Sequence, residues 1–164
     1  MPEIRISTQS DIEDIIELRR KIFPDCTTRQ HKNELELTMR LQVFDGFFIG
    51  KRVCFVAEDN DSLVGFVEVM IRSHAEGAWE QTETGDLGIA HLEGVWVEEE
   101  ARGKGVGRLM VQKSEAWASK HGGTHLASDA KLENVTSHKF HKSLGFEEVE
   151  RSVHYIKACG LDAK

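Results

Sequence analysis

The sequence predicts one mixed α/β domain, and two patterns support this. Apolar residues at helical spacing alternate along the chain with short β-rich runs, and no repeat, linker or low-complexity tract divides them. The 164 residues, 40% of them apolar and 30% charged, are enough to bury a core of their own. We therefore expect a single globular domain over residues 1–164.

The N-terminal half predicts a strand, two helices and a hairpin. "EIRIST", residues 3–8, alternates apolar and polar residues as a strand does. Ser10 and Glu13 have the spacing of a capping box, which starts a first helix that Pro24 ends. A second helix is expected at about 29–43. "RVCFVAED" and "LVGFVEVMIR", parted by turn residues, predict a hairpin over about 52–72.

The C-terminal half begins with a polar, acidic loop at 73–89. "AHLEGVWV" is a fourth strand, and Gly94 inside it marks a bulge. Val106, Met110 and Trp117 have helical spacing and predict a third helix that "GGT" ends. "HLAS" is a fifth strand, Asn134 caps a fourth helix, and "FEEVERSVHYIKA" is predicted to close the chain as a strand.

The charge balance argues against a polyanionic partner. Asp and Glu outnumber Lys and Arg by 28 to 21, a net charge of -7, so neither nucleic acid nor an anionic membrane surface is expected to bind. A cationic small molecule suits this balance, although a solvated acidic face kept for solubility would give the same number.

Cysteine and histidine usage indicates a reduced, metal-free protein. The three cysteines are odd in number and widely spaced, and the N-terminus lacks a signal pattern, so we expect a cytoplasmic protein. Eight histidines are scattered without neighbouring thiols, and we expect no metal site.

"VEEEARGKGVGRLM", residues 97–110, places three glycines between a strand and a helix. Amide groups at a helix N-terminus attract anions, so the loop predicts a phosphate site, although a tight turn would also use glycine. The spacing is neither that of a P-loop nor that of a dinucleotide fingerprint.

The run Arg102 to Gly107 resembles the R-x-x-G-x-G motif of the GNAT superfamily of acetyl-CoA-dependent N-acetyltransferases, and "ENVTSHKFHKSLGF" resembles its later motif. The resemblance implies a mixed, mostly antiparallel sheet of about six to seven strands with about four helices, in which strands four and five splay. It implies that amides of residues 102–108 hold the coenzyme pyrophosphate while strand four pairs with the pantetheine arm. The implied coenzyme-binding residues are Val95, Val97, Arg102, Gly103, Gly105, Val106, Gly107, Arg108 and Asn134.

A closer resemblance extends over "HLEGVWV" and "LASDAKLENVTSHKFHKSLGFEEVERSVHYIK". These stretches are similar to the aminoglycoside 6'-N-acetyltransferases, which implies transfer of acetyl from acetyl-CoA to a 6'-amine within a ternary complex. It also implies a homodimer with residues 152–158 at the interface. Two alternatives stay open: a GNAT enzyme for a polyamine or amino sugar, and an acetyl-CoA-binding sensor without turnover.

Acetyl transfer to an ammonium needs a proton acceptor, oxyanion stabilisation and a proton for the thiolate. Glu93 is the predicted base and Asp129 the predicted amine-orienting acid, both at positions that match acceptor-site acids of the family. Alone, Glu93 is equally a solvent-facing strand residue and Asp129 a turn residue. The Val95 N–H is the candidate oxyanion donor.

The thiolate acid and the acceptor-binding residues are less defined by pattern. His141 stands where many GNAT enzymes have tyrosine, and it is a candidate acid, although helix histidines are commonly only packed. Glu76, Trp79 and Glu80 in the acidic loop are predicted to contact the polycation, and a solvated loop is the alternative.

Overall fold

Five strands form one mixed sheet in the computed structural model, which describes residues 1–44, 49–72 and 89–158. The strands are β1 (Glu3–Ile6), β2 (Arg52–Asp59), β3 (Ser62–Arg72), β4 (Ile89–Val97) and β5 (His125–Ser128). They lie side by side in chain order; the first three pairings are antiparallel, and β4 pairs with β5 in parallel. The mixed, mostly antiparallel sheet is confirmed, but the expected six to seven strands are wrong.

Four α-helices cover the two faces of this sheet: α1 (Ile12–Arg20), α2 (Thr28–Gln42), α3 (Val106–Lys120) and α4 (Val135–Ser143). Alternate residues of a strand face opposite sides, so each strand contributes to both cores. Val56 and Phe66 pack with α1 and α2, whereas Val67 and Val69 pack with α3. Within the described residues, no helix is both long and apolar enough to cross a membrane.

The first helix begins differently from the predicted Ser10 and Glu13 capping box. Thr8 instead starts a short 3-10 turn, and its backbone N–H donates to the Asp11 carboxylate at 2.6 Å. Arg5 on β1 donates to both oxygens of Asp11, at 2.7 and 2.8 Å. These hydrogen bonds lower the pKa of Asp11 from 3.8 to about 2, and the hydrogen bond from Arg5 has the largest effect. The correct cap therefore depends on a sheet residue.

Asp11→Asn is expected to destabilise the fold at neutral pH. A pKa lowered by folding contributes stability above pH 3.8 that is lost as the pH falls through 2, here about 2 kcal/mol. Urea unfolding should therefore show a loss of that order at pH 7, shrinking steadily towards pH 2. Asp14→Asn, an exposed acid on the same helix, is the control and should change little. A loss for Asp11→Asn that is equal at pH 3 and pH 7 would contradict the ion-pair explanation.

Residues 146–158, predicted as a closing strand, form neither helix nor strand. The side chains of Val153, Tyr155 and Ile156 are 73%, 92% and 100% exposed. A strand forms only against an available edge, and within the described residues β5 offers four residues, already paired on one side with β4. The β-rich composition of this segment is thus not used within the described chain.

Candidate active site

Strand β4 carries an irregularity at the position of the predicted base. Glu68 on β3 is opposite Gly94, and the next β3 residue, Val69, is opposite Leu92. Glu93 is therefore the extra residue of a β-bulge, which changes the direction of its side chain relative to a regular strand. A Cβ on Gly94 would lie 3.3 Å from the ring of Phe23, so glycine here lets helix α1 and its C-terminal extension approach the bulge.

Parallel pairing of β4 with β5 brings the two predicted acids to one place. The pairing runs from Ile89 with His125 to Leu92 with Ser128, so the chain leaves β5 at Asp129 beside the bulge. Glu93 accepts hydrogen bonds from Arg72 on both oxygens, at 2.9 and 2.7 Å. Beyond Leu92, β4 has no β5 partner in the described residues, which leaves one backbone edge of β4 open there.

A histidine absent from the sequence prediction lies between those acids. His91 Nε2 is 3.5 Å from an oxygen of Asp129, and its Nδ1 is 3.9 Å from an oxygen of Glu93. Its side chain is only 6% exposed, against 27% for Glu93 and 82% for Asp129. Burial, and then the charge of Arg72, lower the pKa of His91, while the two carboxylates oppose this. The ring is therefore neutral at neutral pH.

A cavity of about 280 Å³ opens next to the bulge on the α1 and α2 side of the sheet. Its wall includes Glu93, and deeper in it Arg19 donates to Glu68 at 2.9 Å and also to Glu34. Burial raises the pKa of Glu68 from 4.5 to about 7, against the attraction of Arg19. The volume is at the lower end of small-molecule sites, and several charged groups converge there. An acidic residue, Glu68, within the apolar run "LVGFVEVMIR" is the feature of the sequence that could have indicated this cavity.

The glycine loop enters helix α3 with its backbone exposed. Gly103 and Gly105 have φ angles of +73° and +83°, and a Cβ on either would meet no atom of the described residues within 4 Å. The first bond back to the loop is from Leu109 N–H to the Gly105 carbonyl, at 3.0 Å. Helix geometry therefore leaves the amides of Val106, Gly107 and Arg108 without intrahelical acceptors, as an anion site requires.

Gly107 has a different role from the other two loop glycines. A Cβ there would lie 2.7 Å from the ring of Phe140 on α4. Glycine at this position lets helix α3 pack closely against α4.

The two loop arginines are held by protein groups. Arg102 donates to the carbonyl of Val97 at 2.9 Å and lies over the ring of Trp96, 4.9 Å from its centroid. Arg108 donates to the carbonyl of Ser143 at 3.0 Å and so links α3 to the end of α4. Val95 and Val97 are half-buried and pack against the α3-side core.

Helix α4 positions the remaining predicted residues. Asn134 accepts from the Ser137 N–H at 3.0 Å, which confirms it as the helix cap. His141 Nδ1 lies 2.8 Å from the Ser137 carbonyl, and Nε2 lies 2.8 Å from the Ser128 hydroxyl. A carbonyl only accepts, so Nδ1 carries a proton and donates to the Ser137 carbonyl, while Nε2 shares a hydrogen bond with the Ser128 hydroxyl. His141 thus connects α4 to the end of β5.

Comparison with known proteins identifies the family of this fold. The profile of the Acetyltransferase (GNAT) family matches residues 12–146, most of the chain. The chain belongs to the GNAT acetyltransferase family. Acetyl-CoA is therefore its co-substrate, as the resemblance of the glycine loop implied, and the chain is an acetyl-CoA-dependent N-acetyltransferase.

Two similar proteins have the same activity in their names. An aminoglycoside N(6')-acetyltransferase type 1 of Stenotrophomonas maltophilia is 32% identical over 154 residues, covering 94% of this chain and 92% of the relative. The crystal structure of aminoglycoside 6'-N-acetyltransferase AAC(6')-Ih from Acinetobacter baumannii is 31% identical, with a TM-score of 0.79 over 98% of this chain and 100% of that one.

A third comparison includes a ligand. The structure of AAC(6')-Iy in complex with the bisubstrate analogue CoA-S-monomethyl-acetylneamine is 27% identical, with a TM-score of 0.81. It covers 97% of this chain and 99% of that one.

Some predicted site residues of this GNAT acetyltransferase lie outside the described residues, namely Glu76, Trp79 and Glu80. Within the described ranges, no group of three or more His, Cys, Asp or Glu side chains could hold a metal ion. His91 was missed by the sequence prediction, although "HLE" places it two residues from Glu93 on a strand, where alternation predicts a shared face.

Proposed function

We propose that this protein transfers the acetyl group of acetyl-CoA to the 6'-amine of aminoglycoside antibiotics, by direct attack in a ternary complex. The observation that supports this most is the convergence of Glu93, Asp129 and His91 beside the open edge of β4. A polycationic amine needs several acids where its reacting nitrogen sits. The protein would then be an aminoglycoside resistance determinant, or a chromosomal relative of one, acting in the cytoplasm.

The bulge and the glycine loop divide the reaction between them. The amides at the start of α3 hold the pyrophosphate, and the open edge of β4 pairs with the pantetheine arm, which brings the thioester carbonyl to the Val95 N–H. Glu93 and Asp129 hold the substrate ammonium and receive its proton, because only the neutral amine attacks. The cavity beside Glu93, with Glu34 and Glu68, takes part of the sugar framework.

In this mechanism His141 positions β5 against α4 and does not donate the final proton. Both ring nitrogens already have protein partners, Nδ1 the Ser137 carbonyl and Nε2 the Ser128 hydroxyl, each at 2.8 Å. A thiol is already a moderate acid, so the coenzyme thiolate leaves without a dedicated donor.

The test is coenzyme A thiol release from acetyl-CoA with a panel of amines. Kanamycin, spermidine and a lysine peptide are compared at equal concentration. The proposal predicts that kcat/KM for kanamycin exceeds the other two by at least about 100-fold, which corresponds to roughly 3 kcal/mol of differential transition-state binding. Preference for spermidine or the peptide would overturn the aminoglycoside assignment and keep the acetyltransferase. Tight acetyl-CoA binding without turnover of any amine would favour the sensor alternative.

We further propose that two copies of the chain form a dimer through the exposed segment 152–158. Its apolar side chains have no surface to cover within the described residues, and a closed two-fold arrangement would give each segment the β5 edge of one copy.

Removal of residues 149–164 is expected to convert the dimer to a monomer. Light scattering coupled to size-exclusion chromatography gives the mass directly. A chain ending at Ala158, which keeps the whole described segment, is the control and should remain dimeric. A dimer that survives the longer truncation would contradict this role for the segment.

A further inference from the structure

His91 has two acidic neighbours and only one proton when neutral. Glu93 lies on the Nδ1 side at 3.9 Å and Asp129 on the Nε2 side at 3.5 Å. Both carboxylates only accept hydrogen bonds when ionised. Whichever nitrogen carries the proton, the other nitrogen is a hydrogen-bond acceptor that faces a carboxylate, which is also an acceptor. The buried Nδ1 indeed has no hydrogen-bond partner of good geometry among the described residues.

One additional proton would satisfy the whole arrangement. An imidazolium donates from both nitrogens, one to Glu93 and one to Asp129, and only small shifts are needed to shorten the two distances. A buried polar group without a partner is costly, so an additional proton would remove a cost that the neutral ring carries. Acetyl transfer to an ammonium supplies one, because the overall reaction releases one proton.

The two predicted acids alone handle that proton poorly. Both oxygens of Glu93 already accept hydrogen bonds from Arg72, whereas Asp129 is 82% exposed and borders solvent. His91 lies beneath them and touches both. It is thus placed to accept a proton from one carboxylate while donating to the other.

We propose that His91 is the proton reservoir of the acceptor site, receiving through Asp129 the proton that the substrate ammonium gives up. This rests on the proposed acetyl transfer. The ammonium N–H bond breaks as Asp129 takes the proton, and Asp129 passes it to His91 Nε2, giving an imidazolium between two carboxylates. The neutral amine attacks the thioester carbonyl, and its second proton leaves with the coenzyme thiolate. The His91 proton then returns to solvent through the exposed Asp129.

The charged groups around His91 fit this cycle. Burial, and then Arg72 from β3, favour the neutral ring, while Glu93 and Asp129 favour the imidazolium, and the net effect lowers the pKa of His91. The ring is therefore neutral before the reaction and able to accept. Because His91 acts through Asp129 and is buried, it is a positioning and proton-holding residue and does not bind the substrate directly.

The test compares His91→Phe and His91→Gln with the wild-type enzyme from pH 6 to pH 9.5. Phe keeps an aromatic ring without any titratable nitrogen, and Gln keeps hydrogen bonding but cannot hold an extra proton. Both should lower kcat/KM for kanamycin by about 10- to 100-fold at pH 7, a modest acid–base contribution. The deficit should shrink towards pH 9.5, where more substrate amine is already neutral. The affinity for acetyl-CoA should stay unchanged.

A structural role for His91 would give a different result. A deficit that is equal at every pH, or no deficit in either variant, would overturn the proposal. His121→Gln removes another buried histidine, one bonded to the Trp117 carbonyl at the end of α3, and should leave the profile unchanged. Thermal melting of every variant shows whether it is folded.

A second measurement does not depend on turnover. Imidazole ¹⁵N NMR of the wild-type protein should show a neutral His91 at pH 7. Asp129→Asn and Glu93→Gln should each lower its pKa further, because each carboxylate stabilises the imidazolium. An unchanged pKa of His91 in Asp129→Asn would overturn the proposal that His91 is the proton reservoir. If instead these shifts occur but kanamycin is not acetylated, the proposed function fails while the coupling of His91 to the acids stands.

Discussion

Gly105→Val is expected to weaken acetyl-CoA binding by about 100-fold or more. Gly105 has a φ of +83°, a conformation that β-branched residues avoid, and it is the N-cap of the helix whose amides we propose to hold the coenzyme. Hydrogen bonds to a charged group contribute about 1.5 to 3 kcal/mol each, so loss of two accounts for the effect. Because a Cβ at this position meets no protein atom within 4 Å, a valine side chain extends into the space where phosphate would sit.

Gly50→Val is the matched control for that substitution. Gly50 has a φ of +88°, and a Cβ there also meets nothing within 4 Å, so the strain is the same. Gly50 lies before β2, and its N–H donates to the Ile71 carbonyl at 2.8 Å. Isothermal titration should show similar acetyl-CoA affinity in Gly50→Val and the wild type. Equal acetyl-CoA affinity in Gly105→Val and the wild type would contradict binding of the coenzyme at this loop.

Glu93→Gln is expected to lower kcat/KM for the aminoglycoside by about 100- to 1000-fold, within the range of acid–base catalysis by one group. Glutamine keeps the size of the side chain but can neither hold the ammonium by charge nor assist the loss of its proton. Acetyl-CoA affinity should stay unchanged, because the bulge is separate from the α3 N-terminus. Steady-state kinetics over a range of pH measures both the height and the shape of the profile.

The control for Glu93→Gln must also break an arginine pair. Glu58 accepts from Arg5 at 2.7 Å and is 31% exposed, close to the 27% of Glu93, but it lies on β2. Glu58→Gln should leave kcat/KM unchanged, since a half-exposed pair contributes little to stability. A pH-rate profile of Glu93→Gln with unchanged height and shape would exclude Glu93 as a proton acceptor.

The helices and most strands could be predicted from the sequence, because the spacing of apolar residues reflects which side of each element is buried. The spacing of Val106, Met110 and Trp117 predicted α3, and all three are buried in it. The predicted capping box of α1 was wrong because two residue pairs fit the motif, Ser10 with Glu13 and Thr8 with Asp11. Arg5 stabilises the second pair, but only once β1 has formed.

The site was predicted in part for a similar reason. Glu93 and Asp129 were expected at one edge of the sheet, and pairing of β4 with β5 does bring them together around His91. His91 itself was missed because its importance depends on which strand lies next to β4, and a single strand does not specify its neighbour. The predicted final strand was wrong because a strand must pair with the edge of another strand, and a β-rich sequence does not specify where that edge lies.

Acetylation of neomycin and paromomycin tests the central claim most directly, because the two differ in carrying an amine or a hydroxyl at the 6' carbon. Thiol release should be rapid with neomycin and near background with paromomycin, and NMR of the neomycin product should place one acetyl group on the 6' nitrogen. Equal turnover of the two, or an acetyl group on another nitrogen, would contradict the assignment of this site to the 6'-amine.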